Sequence, residues 1–139
     1  MNKIEGHIGQ VLQGAEQGIY VIDSKGRKVF ANQPVALMSG FSSLEEYLQS
    51  QDQFKGVEIT DEFGNPVLVY ELPYHKVLKD HQSHSQVLRI HTFGSEDGLS
   101  LLVHASPIFD SSGNFEYVLT SIIDLTGQIP IEGIIQQDA

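Results

Sequence analysis

The chain has 139 residues, 40% of them hydrophobic, and a formal net charge of −10, so its length fits one domain with one core. An acidic surface repels phosphate groups, and we therefore expect no direct binding to nucleic acids or to anionic membranes. The chain has no cysteine, which excludes disulfides, thiolate metal sites, cysteine nucleophiles and a photoactive flavin–cysteine adduct.

The first predicted element is an amphipathic helix over residues 1–17. Its apolar residues recur at the spacing of one helical face; they are Ile4, Ile8, Val11, Leu12 and Ala15. A helix of this length needs a surface to lie on, and its apolar face can cover the chain's own sheet or a second copy of the chain. We predict that these five residues form the interface of a homodimer.

The pattern D-x-x-G occurs three times between apolar segments, at residues 23–26, 61–64 and 110–113. Aspartate suits the first position of a type I turn because its carboxylate accepts a nearby backbone N–H, and glycine suits the last position, where φ is often positive. Each copy therefore predicts a tight reversal of the chain. The first copy joins two predicted strands, residues 19–23 and 27–31, in the clearest hairpin of the sequence.

Three short helices are predicted in the middle of the chain. The first follows Asn32, which is a favourable N-cap residue. The second begins with a capping box, in which Ser43 and Glu46 occupy the two capping positions. The third begins at Pro73 and ends near residue 81. Between the second and third helices, residues 67–70 have the composition of a strand.

Three further strands close the predicted fold. In residues 86–93 and 99–108, apolar side chains recur at every second position, so each strand is expected to turn one apolar face towards the core. Residues 115–123 are apolar on both faces, as a central strand should be. The element order α-ββ-ααα-βββ predicts an α+β fold with a largely antiparallel sheet.

The sequence carries no signature of catalysis. It has no P-loop, no G-x-S-x-G, no H-E-x-x-H and no dinucleotide-binding fingerprint, so we do not expect an enzyme. The two histidines of the stretch at residues 81–84 lack a third ligand, so no metal site is predicted. No apolar run approaches the ~20 residues that span a bilayer, and residues 1–10 lack an apolar signal region. We therefore expect a cytoplasmic protein.

Four pieces of the sequence, in this order and spacing, resemble the PAS domain family. They are the hairpin at residues 18–32, the helix at 73–81, the strand–turn–strand at 105–114 and the Asp-Leu-Thr sequence at 124–126. The resemblance implies a five-stranded antiparallel sheet with the strand order 2-1-5-4-3, helices over one face and a pocket between them. It assigns residues 18–126 to a PAS-type domain.

The same resemblance implies a non-catalytic sensory module. Such a module binds a small ligand or a partner and relays the signal to an output domain, such as a histidine kinase of a two-component system. In many of these proteins a coiled-coil helix follows the last strand. Here Gly127 and Pro130 follow instead, and both residue types break helices, so residues 127–139 are predicted to be a linker or tail.

The implied pocket would lie between the sheet and the middle helices. Its candidate lining residues are those on elements that are expected to face the cavity; they are Val21, Phe30, Asn32, Leu37, Val77, Leu78, Ile90 and Leu101. The ligand itself is not indicated by these residues.

His75 and His81 stand on the helix where haem-binding PAS domains place an axial ligand. At 100° per residue, His81 falls on the same face as Tyr74, and His75 falls at its margin. The alternative is that both are partly solvated residues near a helix end, where a protonated imidazole also suits the helix dipole. We favour the alternative and expect a colourless protein without haem.

Other functions stay open beside the sensory module. The chain could be a pure homodimerisation module without a ligand, a haem-based gas or redox sensor, or a small enzyme on a cone-shaped scaffold like that of ketosteroid isomerase. The early hairpin at residues 19–31 argues against the enzyme, because that scaffold usually opens with long helices.

Overall fold

The computed structural model describes residues 17–52, 54–92 and 98–125. The five residues predicted to form the dimer interface, Ile4, Ile8, Val11, Leu12 and Ala15, lie outside these ranges, as do residues 126–139. None of the helices in the described ranges is long and apolar enough to cross a membrane.

A single antiparallel sheet of six strands runs through the described residues, in the order β2-β1-β6-β5-β4-β3. The strands are β1 (Gly18–Asp23), β2 (Lys28–Ala31), β3 (Val57–Asp61), β4 (His84–Thr92), β5 (Gly98–Phe109) and β6 (Phe115–Asp124). The predicted α+β fold with an antiparallel sheet is confirmed, and the order of the five predicted strands is the observed order without β3. The count of five strands is wrong, because β3 adds an edge strand beside β4.

The strand predicted at residues 67–70 is also wrong. After β3 the chain turns back and makes one isolated bridge between Thr60 and Pro66, followed by a hydrogen bond from the Val67 amide to the Ile59 carbonyl (3.0 Å). Pro66 has no N–H to continue a ladder. The chain therefore leaves the sheet and forms a short 3-10 helix at Val69–Glu71.

All three D-x-x-G segments form the predicted tight reversals with the same hydrogen bonds. In each, the glycine amide donates to the aspartate carbonyl at 2.9–3.1 Å, and the aspartate carboxylate accepts from the backbone amides two and four residues later at 2.8–2.9 Å. The glycines have φ values of 84–90°, which only glycine adopts without strain. The same turn structure therefore reverses the chain direction at all three places.

The helices form where the capping residues predict them. They are α1 (Gln33–Met38), α2 (Leu44–Gln49) and α3 (Pro73–Asp80). The Asn32 side chain accepts a hydrogen bond from the Val35 amide at the start of α1. The Ser43 hydroxyl accepts one from the Glu46 amide (3.1 Å) at the start of α2, while the Glu46 carboxylate accepts one from the Ser42 amide (2.9 Å).

The sheet carries an apolar cluster on each face. The main core lies on the face under the helices and includes Tyr20 and Ile22 of β1. A smaller cluster contains Ile19, Val21 and Phe30, and strand alternation places it on the opposite face. The assignment of Val21 and Phe30 to a pocket under the helices is therefore wrong.

Leu37 is a further correction among the predicted pocket residues. Its side chain is 54% exposed, because α1 turns Val35 and Ala36 towards the core instead. A six-residue helix has room for one narrow buried face, and Leu37 lies outside it.

Candidate functional site

An open groove of about 450 Å³ lies between the end of α2, strand β3 and the start of α3. Most of its lining is apolar or aromatic; these residues are Phe54, Val57, Ile59, Pro66, Val67, Val69 and Tyr74. The polar residues of the lining are Gln51, Asp52 and Glu58. An apolar concavity with a few polar groups at its edge is the usual form of a small-molecule site.

Tyr74 connects this groove with the main core. It lines the groove, yet its side chain is buried and its ring meets the ring of Tyr20 edge to face, with a centroid separation of 6.2 Å. Tyr20 lies in β1, an interior strand that pairs with β2 on one side and β6 on the other. A molecule in the groove would therefore touch a side chain that packs directly on an interior strand.

Three phenols approach one another beneath the groove, those of Tyr20, Tyr47 and Tyr74. Burial raises the pKa of all three hydroxyls, and for Tyr20 and Tyr47 the charge that a neighbouring tyrosinate would carry raises the pKa further. All three phenols are therefore neutral at physiological pH. They offer hydrogen-bonding hydroxyl groups and aromatic faces without any charge.

Lys28 holds the rim of the groove in place from β2. Its ammonium group donates to the backbone carbonyls of Tyr47 (2.8 Å), Ser50 (3.0 Å) and Asp52, and it lies 3.9 Å from the centre of the Tyr47 ring. Burial lowers the pKa of Lys28 to about 8, against the raising effect of Asp52. These contacts satisfy carbonyls at the end of α2 and position Asp52 at the groove.

Several buried polar atoms on or near the main core find no hydrogen-bond partner among the described residues. They are His75 Nδ1, Gln86 Oε1 and Thr120 Oγ1. The Thr120 hydroxyl lies close enough to the Tyr20 phenol to lower its pKa against the larger effect of burial, but the two groups do not reach full hydrogen-bond geometry. Native interiors contain few such atoms, and each one needs an explanation.

The remaining predicted pocket residues lie in or against the main core. Val77, Ile90 and Leu101 are buried there, and Leu78 packs against it half-buried. Asn32 has a structural role, because its side-chain oxygen accepts from the Ile19 amide (2.9 Å) and its amide group donates to the Gln17 carbonyl (2.9 Å). Whether these residues contact a ligand stays a prediction.

The two histidines that were considered as haem ligands differ in position. His75 is half-buried in the first turn of α3. His81 ends α3 with φ = 56° and is exposed, with its ring stacked on Phe115 at a centroid distance of 4.0 Å. His81 therefore does not share the inward face of Tyr74, because the left-handed backbone ends the helix and turns the residue outwards. Within the described ranges, no three His, Cys, Asp or Glu side chains are grouped as a metal site requires.

Sequence reasoning missed the residues that build this groove. The signal for Tyr20 was present, because Tyr20 and Ile22 alternate with Ile19 and Val21, but an apolar strand does not indicate which set faces the helices. The groove also needs β3, which was not predicted. The role of Lys28 depends on carbonyls 19 to 24 residues away along the chain, and no local pattern predicts such contacts.

Comparison with known proteins agrees with this architecture. A PAS domain family model matches residues 16–127. The PAS domain of the fruit-fly ELK potassium channel has a TM-score of 0.65 at 14% identity, covering 90% of this chain and 99% of that chain. The PAS domain of Bordetella pertussis BvgS has a TM-score of 0.57 at 16% identity, covering 94% and 91%.

A Light-Oxygen-Voltage domain, studied with a flavin analogue, has a TM-score of 0.60 at 16% identity and covers 99% of this chain and 98% of that chain. No curated protein matches the sequence significantly. At these identities the solved structures show a shared fold, while the family match extends over most of the chain. The chain belongs to the PAS domain family, whose members are sensory signalling modules.

Proposed function

We propose that this chain is a non-catalytic sensor that binds a small molecule in the groove and relays binding to an output domain, such as a histidine kinase. The observation that supports the proposal most directly is the position of Tyr74, which lines the groove and packs on Tyr20. If the Tyr74 side chain has two packing arrangements against Tyr20, a ligand that binds one of them more tightly increases the population of that arrangement.

The relay would run through the sheet to the end of β6. Tyr20 pairs with Thr120 across β1 and β6, so a change in the Tyr20 ring acts on both strands. Strand β6 ends at Asp124, and the amide of Leu125, the last described residue, donates to the Ser100 carbonyl of β5 (2.7 Å). Coupling of this kind needs an element with two arrangements, and the Tyr20–Tyr74 contact is our candidate.

The ligand site is tested by filling the groove from its rim. Val69 lines the groove and is 55% exposed, so Val69→Trp should block the groove without disturbing the core. Leu48→Trp is the matched control, because Leu48 is 43% exposed on α2 and is not part of the groove lining. We expect ligand-observed NMR of a small-molecule library to find compounds that bind the wild type and Leu48→Trp but not Val69→Trp.

The same titrations followed on the protein's amides test the relay. A bound compound should shift the amide signals of Tyr74, of Tyr20 and of the last residues of β6. Compounds that bind Val69→Trp as tightly as the wild type would contradict the groove, and amide shifts confined to the groove lining would contradict the relay.

We also propose homodimerisation, which apolar side chains on the sheet face away from α1, α2 and α3 favour. Val103 and Ile122 belong to the main core, so their neighbours Leu102 and Ile123 lie on the opposite face. These two are ladder partners; Ile123 is 37% exposed and Leu102 is half-buried, so both can contact a second copy. The apolar stripe predicted in residues 1–17 offers further surface of the same kind.

A further inference from the structure

We propose that a second ligand site lies on the sheet face away from α1, α2 and α3, and that it binds a free α-amino acid with an apolar side chain. The site is an open concavity of about 510 Å³, formed by β3, β4 and the turn at residues 61–64. It goes beyond the proposed function, which places a ligand in the groove on the side of the helices.

The strand register separates this concavity from the groove. Ile90 of β4 belongs to the main core, so its neighbours Arg89 and His91 point to the opposite face. The ladder pairs them with Thr60 and Glu58 of β3, and residues paired across a ladder share a face. All four residues line the concavity, which therefore opens on the outer side of the sheet.

Opposite charges line the concavity without pairing with each other. Arg89 and Glu62 both belong to the lining, and within the described part of the chain neither side chain takes part in an ion pair or a hydrogen bond. A second carboxylate, that of Glu58, lies 3.3 Å from His91 Nε2. The concavity thus presents a guanidinium, which binds carboxylates through two parallel hydrogen bonds, together with an unpaired carboxylate.

This arrangement fits a zwitterion better than a simple ion. A simple anion at Arg89 would also meet the carboxylates of Glu58 and Glu62, and a simple cation at Glu62 would meet the Arg89 guanidinium. A free amino acid carries an ammonium and a carboxylate on one carbon atom, so it gains from both signs of charge at once.

Phe63 supplies apolar surface for the side chain of the ligand. It lines the concavity and, at 81%, is the most exposed large hydrophobic residue that the structure describes. Its turn makes the same hydrogen bonds as the turns at residues 23–26 and 110–113, which carry Lys25 and Ser112 at the same position. The turn therefore does not require an aromatic residue there, and the Phe63 ring is free to contact a bound apolar side chain.

L-Phenylalanine and N-acetyl-L-phenylalaninamide test the chemical class of the ligand. Both have the same side chain and are neutral overall, so the field of the whole chain does not distinguish them, and only the amino acid carries the two charges. We expect NMR titration to shift the amide signals of Thr60, Phe63, Arg89 and His91. If each charge gains about threefold, as exposed ion pairs do, L-phenylalanine binds about tenfold more tightly.

Matched variants assign the two charges to their partners. Arg89→Gln and Glu62→Gln should each weaken the binding of L-phenylalanine by about threefold and leave the binding of the uncharged compound unchanged. Lys79→Gln and Glu45→Gln remove the same charges from α3 and α2, outside the lining, and should change neither affinity. The amide spectrum of each variant also shows whether it is folded.

Phe63→Ser tests the aromatic contact. Serine occupies the same position in the turn at residues 110–113, so the turn should persist, and both compounds should bind about fivefold more weakly, as expected for the loss of one aromatic pair. Val69→Trp, which fills the groove, should leave the binding of both compounds unchanged.

The outcomes separate this site from the groove. Equal affinity of the two compounds overturns the amino-acid class, and an equal loss in Lys79→Gln or Glu45→Gln overturns the local charge argument. Amide shifts at Val67 and Tyr74 that disappear in Val69→Trp overturn the second site and support the groove instead. Absence of L-phenylalanine binding at millimolar concentration overturns the inference and leaves the proposed function of the groove in place.

Discussion

Gln86 is a polar residue on the apolar, core-facing side of the sheet. It lies opposite Val103 in the β4–β5 ladder, and Val103 belongs to the main core, so the two side chains share the face beneath the helices. Its Oε1 atom is buried without a partner among the described residues. A buried acceptor of this kind costs about 1–3 kcal/mol of stability, which favours a functional reason for its presence.

The prediction at this scale is that Gln86→Leu stabilises the fold. Leucine has a similar volume and removes the unpaired oxygen, so we expect the free energy of unfolding to rise by about 1 kcal/mol in urea denaturation. Gln49→Leu on the exposed side of α2 is the control, and its effect should stay within about 0.5 kcal/mol. A loss of stability in Gln86→Leu would show that the amide has partners that stabilise it.

The residues that sequence reasoning placed correctly are those whose local chemistry admits one role. The aspartates and glycines of the three turns and the caps Asn32 and Ser43 belong to this group. Val21 was misplaced because β1 is buried along both faces, and an apolar run has no alternation from which to read its orientation. Phe30 was misplaced for a related reason, since β2 contributes only four residues.

At the scale of elements, α2 depends on contacts from outside itself. A six-residue helix is not stable alone in water. Its start is held by Ser43 and Glu46, and its end by the carbonyl contacts of Lys28. Lys55 then joins the following loop to the start of the helix through Glu46, at 2.8 Å. The edge strand β3 escaped prediction because a short alternating segment has too little pattern to distinguish it from a loop.

Glu46 makes the stability of the fold depend on pH through its contacts at the start of α2. Its contacts with Lys55 and the Ser42 amide lower its pKa to about 2, so the stability they contribute is complete above the unfolded pKa and is lost as the pH falls through the folded pKa. We expect the difference in unfolding free energy between wild type and Glu46→Gln to be largest above about pH 5 and to vanish only below about pH 2.

Urea denaturation across this range measures the difference. Glu45→Gln removes a carboxylate from the same turn without touching Ser42 or Lys55 and serves as the control. A difference between wild type and Glu46→Gln that stays constant over the whole range would contradict a titrating contact.

At the scale of the whole molecule, charge and apolar surface oppose each other. Two copies that each carry a net charge of −10 repel one another, so a homodimer requires apolar contact that exceeds the repulsion. Salt screens the repulsion and leaves apolar contact intact. The effect of salt on the dimer population therefore indicates whether repulsion or apolar contact dominates. Leu102 and Ile123 on the outer sheet face, together with the apolar stripe predicted in residues 1–17, offer such contact.

We therefore predict a dimer in light scattering whose population increases with salt concentration. Ile8→Glu places a charge in the apolar stripe predicted for residues 1–17 and should shift the equilibrium to monomer. Gln10→Glu adds the same charge beside the stripe, and because it only adds to the repulsion, high salt should restore its dimer. High salt cannot restore Ile8→Glu, because burying the carboxylate costs more than the apolar contact contributes. A monomer at high concentration in both low and high salt would end the proposal.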